Sequence, residues 1–286
     1  MNIKTKITVY FIIVLLILIY LGFQNGHLKT TTIKYSNDKL PKSFDNFTII
    51  HVSDLHSKKF GEGQIKILNK IKKENPDIIL VTGDLIDRRR YDLETSMLFI
   101  TGAVEIAPVY YVSGNHEAWS LRYGEIKERL LKSGVYVLDN ETSEIVIGED
   151  KIEVLGIKDP AFDTPEGIKD IYLTNFIQNL NSFSQSENFQ ILLSHRPELF
   201  DLYVNEEIDL IFSGHAHGGQ FRLPFIGGLF APDQGLFPKY TSGKHKINGS
   251  TLVVSRGLGN SVFPLRLFNN PEIVKVILQK EVNHEK

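Results

Sequence analysis

The sequence feature that most constrains the fold is an alternation between short apolar runs and segments with helical periodicity in the first half of the chain. The apolar runs are rich in β-branched and aromatic residues and are bounded by polar ones, which is typical of buried strands. They cover residues 47–53, 77–82 and 108–113. Apolar residues recur at helical spacing over residues 63–74, 93–106 and 123–132. This β-α-β-α succession predicts parallel strands joined by crossover helices.

The second half of the chain changes to short strands joined by turn residues. Strands are predicted over residues 135–138, 143–147, 151–157, 190–193, 210–213, 252–255 and 273–278, and a helix over residues 168–180. The close spacing of the first three strands predicts antiparallel pairing among them. The whole pattern predicts an α/β fold in which two packed mixed β-sheets are flanked by helices, within one domain of residues 46–280.

A long apolar run precedes this domain. In Ile7–Phe23 the only clearly polar side chain is Thr8, and Lys4 and Lys6 come before the run. As a helix rising about 1.5 Å per residue, the run would span roughly 25 Å, which is enough for a tilted crossing of a bilayer. We therefore predict an N-terminal transmembrane helix, residues 1–24, that acts as an uncleaved signal anchor.

Two other interpretations of the run remain open. A cleaved signal peptide normally has an apolar region of about 7 to 15 residues that ends in small residues, and residues 22–27 offer no such site. A buried core helix is disfavoured because both faces of the run are uniformly apolar. With an uncleaved anchor, the positive-inside rule places the rest of the chain outside the cytoplasm. The sequence thus predicts a single-pass protein of the cell membrane, in which a polar linker, residues 25–45, leads to an extracytoplasmic domain.

The composition limits the chemistry that this domain can perform. Disulfides, thiol nucleophiles and thiolate metal sites are excluded because the chain has no cysteine. Its nine histidines leave imidazole and oxygen ligands for any metal site. With 32 basic and 34 acidic side chains, no overall positive field attracts the chain to nucleic acid, so we expect no nucleic acid partner.

Polar clusters follow five of the predicted strands, at the point where each strand ends. They are Asp54-Leu55-His56, Gly83-Asp84-Leu85-Ile86-Asp87, Gly114-Asn115-His116-Glu117, Ser194-His195 and Gly214-His215-Ala216-His217. Each cluster alone is compatible with ordinary turn or helix-cap chemistry. Ligands bind at the carboxyl ends of strands in open α/β sheets, however, and five such clusters in this order indicate one shared site.

This ordered series of motifs resembles that of the calcineurin-like metallophosphoesterases. The resemblance covers about residues 47–280, and Glu117 stands where many members have Asp. Residues 218–243 and 255–260 are similar to a membrane-associated bacterial branch that includes the YkuE- and YaeI-type phosphodiesterases and a UDP-2,3-diacylglucosamine pyrophosphatase. The resemblance implies a metallophosphoesterase α/β sandwich and a hydrolase that acts on phosphoric ester or phosphoanhydride bonds.

The same resemblance implies a site with two divalent metal ions, and the ligand types admit Mn, Zn or Fe. The first ion would be bound by Asp54, His56 and His217. The second ion would be bound by Asn115, His195 and His215, and Asp84 would bridge the pair. A hydroxide shared by the ions would attack phosphorus in line. His116 would act as the general acid on the leaving oxygen, and Asp87 would orient its ring.

The residues that bind the rest of the substrate are less constrained. Of three consecutive arginines, residues 88–90, two are interpreted as part of a solvated loop. We select Arg88 as a candidate contact to an anionic substrate, together with Arg256 at a strand end. The apolar stretch of residues 221–237 is broken by glycine and proline and has two interpretations. It packs over a sheet edge, or it forms a flap that enters a membrane interface or holds an acyl chain.

The leading hypothesis is a metal-dependent phosphoric ester hydrolase, either a phosphodiesterase or a pyrophosphatase, that acts on an envelope or lipid-linked substrate. A nuclease of the same fold is one alternative, and the near-neutral charge argues against it. A non-catalytic metal-binding scaffold is the other alternative. The complete set of predicted ligands and the presence of His116 argue against a scaffold.

Overall fold

In the computed structural model, the strands and helices of the first half form one side of a two-sheet sandwich. The structure describes residues 2–164, 172–183, 186–260 and 264–281. The helices of this described part are α1 (Ile3–Gly26), α2 (Ile65–Lys73), α3 (Leu93–Val104), α4 (Asn115–Trp119), α5 (Tyr123–Lys132), α6 (Thr174–Ser182) and α7 (Phe200–Asn205). Its strands are β1 (Lys29–Asn37), β2 (Thr48–Val52), β3 (Ile78–Thr82), β4 (Val109–Val112), β5 (Tyr136–Val137), β6 (Glu141–Ile147), β7 (Asp150–Gly156), β8 (Gln190–Leu193), β9 (Leu210–Ser213), β10 (Arg222–Leu223), β11 (Gly227–Gly228), β12 (Phe230–Ala231), β13 (Gly235–Leu236), β14 (Gly243–Ile247), β15 (Ser250–Val254) and β16 (Glu272–Lys280).

Both sheets are mixed, and each contains a run of parallel strands. Within the described residues, the first sheet has the strand order β1-β16-β2-β3-β4-β5, and β2 to β5 are parallel. In this sheet β16 is antiparallel to β2. The second sheet has the order β14-β15-β9-β8-β7-β6, with β14 and β6 antiparallel to their neighbours. The predicted α/β fold with two mixed sheets is confirmed.

The core lies in three layers because each sheet is covered on both faces. Between the sheets, Ile49 and Leu80 from the first pack in one cluster with Ile191 and Phe212 from the second. Helices α2, α3 and α5 cover the outer face of the first sheet, and α6 and α7 cover that of the second. Strands such as β3 are therefore buried along their whole length, which explains their uninterrupted apolar sequences.

One predicted strand pairing was wrong. The sequence predicted that residues 135–138, 143–147 and 151–157 pair in antiparallel fashion. The second and third do so as β6 and β7. The first of them, β5, instead joins the other sheet, parallel to β4. Helix α5 lies between β4 and β5, so this pair is a strand–helix–strand crossover, which favours parallel pairing.

The predicted linker, residues 25–45, contains a long strand. Strand β1 pairs in parallel with β16, from Lys29 beside Glu272 to Asn37 beside Lys280. Its sequence, KTTTIKYSN, is polar because it forms a sheet edge, where charged and polar side chains face solvent. Only Tyr35 of this strand is buried in the core. No strand was predicted in these residues because an edge strand carries a weak apolar pattern.

The apolar N-terminal run is a single helix. In the described part of the chain, α1 is the one helix long and apolar enough to cross a membrane, with a mean hydropathy of 2.5. Most of its side chains are exposed. Another predicted helix, residues 168–180, lies partly outside the described residues, and its described part forms α6 from Thr174 onward.

Candidate metal centre

The carboxyl ends of parallel strands from both sheets meet at one edge of the sandwich. The loops that follow β2, β3 and β4 face the loops that follow β8 and β9. Between the loop after β9 and the loop after β2, the backbone N–H of His215 donates to both carboxylate oxygens of Asp54, at 3.1 Å each. The structure therefore brings the five predicted clusters together, and all seven predicted metal ligands are buried.

The first group of donor atoms joins the loop after β2 to the loop after β9. It consists of Asp54, His56, Asp84 and His217, whose ligand atoms all lie within 4.8 Å of one another. The Nε2 atoms of His56 and His217 are 3.1 Å apart. His217 Nε2 lies 3.4 Å from an oxygen of Asp54, and His56 Nε2 lies 3.5 Å from an oxygen of Asp84.

The second group of donor atoms lies on the other side of Asp84. It consists of Asp84, His195 and His215, again within 4.8 Å of one another. His195 Nε2 is 3.3 Å from Asp84 Oδ2 and 3.1 Å from His215 Nδ1. The side-chain oxygen of Asn115 lies 3.1 Å from the same His195 nitrogen, so it adjoins this group. Asp84 belongs to both groups.

These donor groups fit divalent metal ions. Ligand atoms held by one ion at about 2.0–2.2 Å are roughly 3.0–3.5 Å apart, and the facing nitrogens of His56 and His217 have such a separation, 3.1 Å. His195 Nδ1 lies 2.7 Å from the carbonyl oxygen of Thr82 and can only donate to it. In the neutral ring the lone pair is therefore on Nε2, which faces the second group, as in metal-ligating histidines.

The electrostatics keep the shared carboxylate charged. Burial opposes the ionisation of Asp84, but the neighbouring His195 and His116 hold its pKa well below the usual range of a carboxyl group. Burial raises the pKa of Asp54 to about 6. Because an ionised carboxylate can offer lone pairs to two cations, Asp84 is suited to a position between the two groups.

Backbone strain marks the ligand positions. Left-handed φ angles of 46° to 61° occur at Asp54, His56, Asp84, His215 and His217. Such angles are uncommon for residues other than glycine and cluster at functional sites. The motif glycines permit the close approach of these turns. A Cβ on Gly83, whose φ is 81°, would lie 2.6 Å from the backbone nitrogen of Gly114 and 2.8 Å from His195 Nδ1.

Glu117 ties the second and third loops together from behind the donor groups. Its Oε2 accepts hydrogen bonds from the backbone N–H groups of Asp84 at 2.8 Å and Gly114 at 2.7 Å. Its Oε1 accepts from the N–H of Ile86 at 3.2 Å. The side chain is fully buried, so the carboxylate fixes the backbone that carries Asp84 and does not itself join either donor group.

We expect Glu117→Gln to weaken both the fold and metal binding. An amide has one acceptor oxygen, so its NH2 group would face the N–H of Ile86 and leave that buried donor unpaired. The free energy of unfolding should fall by about 1–3 kcal/mol, and metal affinity by about 10- to 100-fold. Thermal unfolding and metal content after dialysis measure these effects. The matched control is Glu125→Gln on α5, whose exposed carboxylate pairs with Arg122 just before the helix. Equal losses in both variants would contradict the role of Glu117.

His116 lies at the start of α4, beside the first donor group. Its ring centroid is 4.4 Å from that of His56, and its Nδ1 accepts a hydrogen bond from the backbone N–H of Arg88 at 3.2 Å. The predicted partner Asp87 is 4.0 Å from this nitrogen. Asp87 also accepts from the backbone N–H groups of Arg89 and Arg90, at 2.8 and 3.2 Å. The orienting role of Asp87 stays a prediction.

The structure separates the candidate substrate-binding arginines. Arg88 and Arg89 line a cavity of about 210 Å³ together with Asp84, Asn115, His116, His215 and His217. Arg90 forms an ion pair with Asp87. Arg256, the other predicted contact, is not among the described residues that line this cavity, and it lies beside Glu272 with 3.7 Å between Nε and Oε2. The two side chains therefore form an ion pair.

Sequence reasoning missed four residues of the site. Trp119, Pro232 and Asp233 line the cavity. Asp233 Oδ2 lies 3.0 Å from His215 Nε2, while His215 Nδ1 faces the second donor group. The fourth residue, Arg196, is buried beside Asp233. A carboxylate behind a histidine ligand fixes its ring orientation. Arg196 follows His195 directly and could have been noticed, whereas no motif spacing points to Asp233.

The chain is similar in sequence to known metallophosphoesterases. The family model described as calcineurin-like phosphoesterase matches residues 47–219. The chain is 28% identical over 267 residues to the metallophosphoesterase YkuE of Bacillus subtilis, covering 91% of this chain and 89% of YkuE. It is 27% identical over 241 residues to the phosphodiesterase YaeI of Escherichia coli, covering 81% and 82% of the two chains. It is 25% identical over 292 residues to a transmembrane protein with metallophosphoesterase domain of Danio rerio, covering 96% of this chain and 63% of that protein.

Proposed function

Because this chain belongs to the calcineurin-like phosphoesterase family and is thus a phosphoesterase hydrolase, we propose that it cleaves a phosphodiester or a pyrophosphate at a centre of two divalent metal ions. The observation that carries the proposal is the position of Asp84, which belongs to both groups of donor atoms. One carboxylate between two cations offsets their mutual repulsion, and this arrangement is typical of two-metal phosphoryl sites.

The seven predicted ligands divide between the two ions. Asp54, His56 and His217 would hold the first ion, Asn115, His195 and His215 would hold the second, and Asp84 would contribute to both. When bound, the ions neutralise charge on the phosphoryl group and activate the attacking water. The metals expected are Mn, Zn or Fe, because nitrogen and oxygen ligands without thiolate suit all three. Asp233 keeps the ring of His215 oriented from behind.

His116 supplies the proton to the leaving oxygen. In the neutral ring, Nδ1 accepts the N–H of Arg88. The proton donor is the imidazolium form, in which Nδ1–H faces Asp87 Oδ1 at 4.0 Å, and the ring returns to the neutral form when the leaving oxygen takes the proton. The backbone N–H of His116 donates to Asp84 Oδ1 at 2.8 Å, which holds the ring beside the shared carboxylate. Arg88 and Arg89 line the same cavity and attract the anionic substrate. Asp87 supports this arrangement by holding the backbone of the arginine loop.

We expect His116→Ala to reduce kcat for a metal-dependent diester substrate by about 10²- to 10³-fold, since a positioned general acid contributes about this much. Metal content should remain close to that of the wild type because His116 is in neither donor group. Steady-state hydrolysis of bis(p-nitrophenyl) phosphate and elemental analysis measure the two effects. His245→Ala, a half-buried histidine on β14, is the control and should keep full activity. Loss of metal in His116→Ala, or its full activity, would contradict the assigned role.

The substrate is proposed to be an envelope or lipid-linked phosphoester or pyrophosphate. Helix α1 supports this, because its length and hydropathy suit a membrane anchor that keeps the domain near lipid substrates. Lys4 and Lys6 at the start of the helix favour a cytoplasmic N-terminus and an extracytoplasmic domain in the cell membrane. We place the start of the catalytic domain at β1, since this strand belongs to the first sheet.

The experiment is a panel of diesters, monoesters, nucleotide-sugar lipids and membrane lipid extracts, assayed with added Mn or Zn. Wild type and Asp84→Asn are compared side by side. Turnover by the wild type alone supports the proposal and identifies the preferred bond. Metal binding without turnover on the whole panel would indicate a scaffold, and salt-sensitive cleavage of DNA would indicate a nuclease.

A further inference from the structure

A group of apolar side chains lies exposed near the candidate metal centre. We call it the apolar rim, and each member exposes 48% or more of its surface: Phe225, Ile226, Phe230, Leu236, Phe237 and Phe268. Five of them come from the two small hairpins formed by β10 with β11 and by β12 with β13. Exposed apolar groups of this extent mark an interaction surface, because scattered single residues are the usual case on a soluble protein.

The apolar rim is continuous with the C-terminal end of α1. The ring of Phe268 lies 6.0 Å from that of Tyr20 on the helix. Next to Phe268, Leu267 forms a β-bridge with Phe221 at the start of the first hairpin, and the N–H of Arg222 donates to the carbonyl of Leu267 at 3.0 Å. The second hairpin is attached to the first through Leu229, whose N–H donates to the carbonyl of Phe221 at 2.8 Å.

The last turn of α1 is also bound firmly to the domain. Lys58 Nζ donates to the carbonyl of Asn25 at 2.8 Å, and the side chain of Asn260 donates to that of Asn25 at 3.0 Å. Asn270 donates to the carbonyl of Gln24 at 3.1 Å. These contacts hold the helix end in one position, so a membrane crossed by α1 would lie beside the apolar rim.

The second hairpin connects the apolar rim to the centre. Phe230 and Leu236 are exposed on its two strands, while Asp233 in its turn contacts His215. Pro232 in the same turn lines the cavity that contains the donor groups. A surface that contacts the exposed side chains of the second hairpin therefore also lies next to the opening of the cavity.

We propose that the apolar rim inserts into the headgroup region of the bilayer that α1 crosses, and that the metal centre opens toward phosphate esters at that membrane surface. The bilayer is the occupant that the structure favours, because the rim continues directly from a helix of membrane-spanning length. The proposal rests on the membrane crossing by α1 and deepens the proposed function by restricting the substrate to one presented at the membrane surface. Apolar side chains in such a position are expected about 5–10 Å into the headgroup and acyl boundary.

The absence of cysteine permits a direct test on the full chain. Single-cysteine variants Phe225→Cys and Phe237→Cys are labelled with a nitroxide and reconstituted into vesicles of phosphatidylcholine and phosphatidylglycerol. The matched control is Val146→Cys, because Val146 is 59% exposed and Phe237 is 62% exposed. Val146 lies on β6, which is one edge strand of the second sheet, and β14 is the other edge strand. Leu16→Cys in α1 reports whether the helix is in the bilayer. Collisions with oxygen and with a water-soluble nickel chelate are measured by power saturation.

The proposal expects labels at 225 and 237 to be shielded from the chelate and accessible to oxygen, as at position 16, while the label at 146 behaves as an aqueous site. Shielding at 16 together with aqueous behaviour at 225 and 237 would overturn it. So would an aqueous label at 16, or labels shielded from both reagents, which indicate a protein partner. None of these readouts requires catalysis. A result that contradicts membrane insertion of the apolar rim is therefore distinguishable from a lack of the proposed activity on soluble diesters.

Discussion

Asp84→Asn is expected to lower kcat/KM for diester hydrolysis by at least about 10³-fold, because metal ions contribute several kcal/mol of charge stabilisation in such reactions. Asp84 Oδ2 lies 3.5 Å from His56 Nε2 and 3.3 Å from His195 Nε2, so this one oxygen serves both donor groups. An amide lacks the negative charge that offsets the repulsion between two cations. The metal content should fall below two ions per chain, as measured by elemental analysis alongside the kinetics.

The control for this prediction is Asp201→Asn, which changes an exposed carboxylate at the start of α7. It should retain both metal ions and full turnover. If Asp84→Asn kept two ions and lost activity, Asp84 would be acting on the substrate and not as a shared ligand. If it kept full activity, the assignment of this centre as the catalytic site would be wrong.

Asp159→Ala is expected to lower the free energy of unfolding by about 3 kcal/mol, since it leaves a buried guanidinium without its main partner. Arg196 is only 1% exposed, and its Nε and Nη2 atoms donate to the two oxygens of Asp159 at 2.8 and 3.1 Å. Asp233 also contacts Arg196, so the loss lies at the lower end of the range for buried ion pairs. Chemical denaturation of the full chain in detergent, followed by the midpoint at constant slope, measures the change.

The matched control is Glu144→Ala, which removes an exposed ion pair with Lys151 on neighbouring strands of the second sheet. Exposed pairs contribute about 0–1 kcal/mol, so the midpoint should hardly change. A loss below about 1 kcal/mol in Asp159→Ala would mean that Arg196 finds water or another partner, which contradicts its role as a buried support of the His215 loop.

The sequence predicted the sheets well where strands are buried on both faces. Strands β8 and β9 begin and end where the apolar runs predicted, because a strand covered on both faces must be apolar throughout. Apolar runs did not reveal β1, because this strand is polar and forms a sheet edge. The sequence pattern also could not assign β5 to a sheet. This strand has only two residues, and its pairing with β4 depends on the crossover helix between them.

The donor residues of the candidate centre were determined by the sequence itself. Each lies within four residues after the end of a strand, so the position of Asp54, Asp84 or His215 along the chain already sets its place at the carboxyl edge of a sheet. Only the tertiary structure decided which partners support or neutralise these groups. Asp233 reaches His215 and Glu272 balances Arg256 through contacts between distant segments. Motif spacing encodes local turns, whereas such pairings depend on how the hairpins and the two sheets pack in three dimensions.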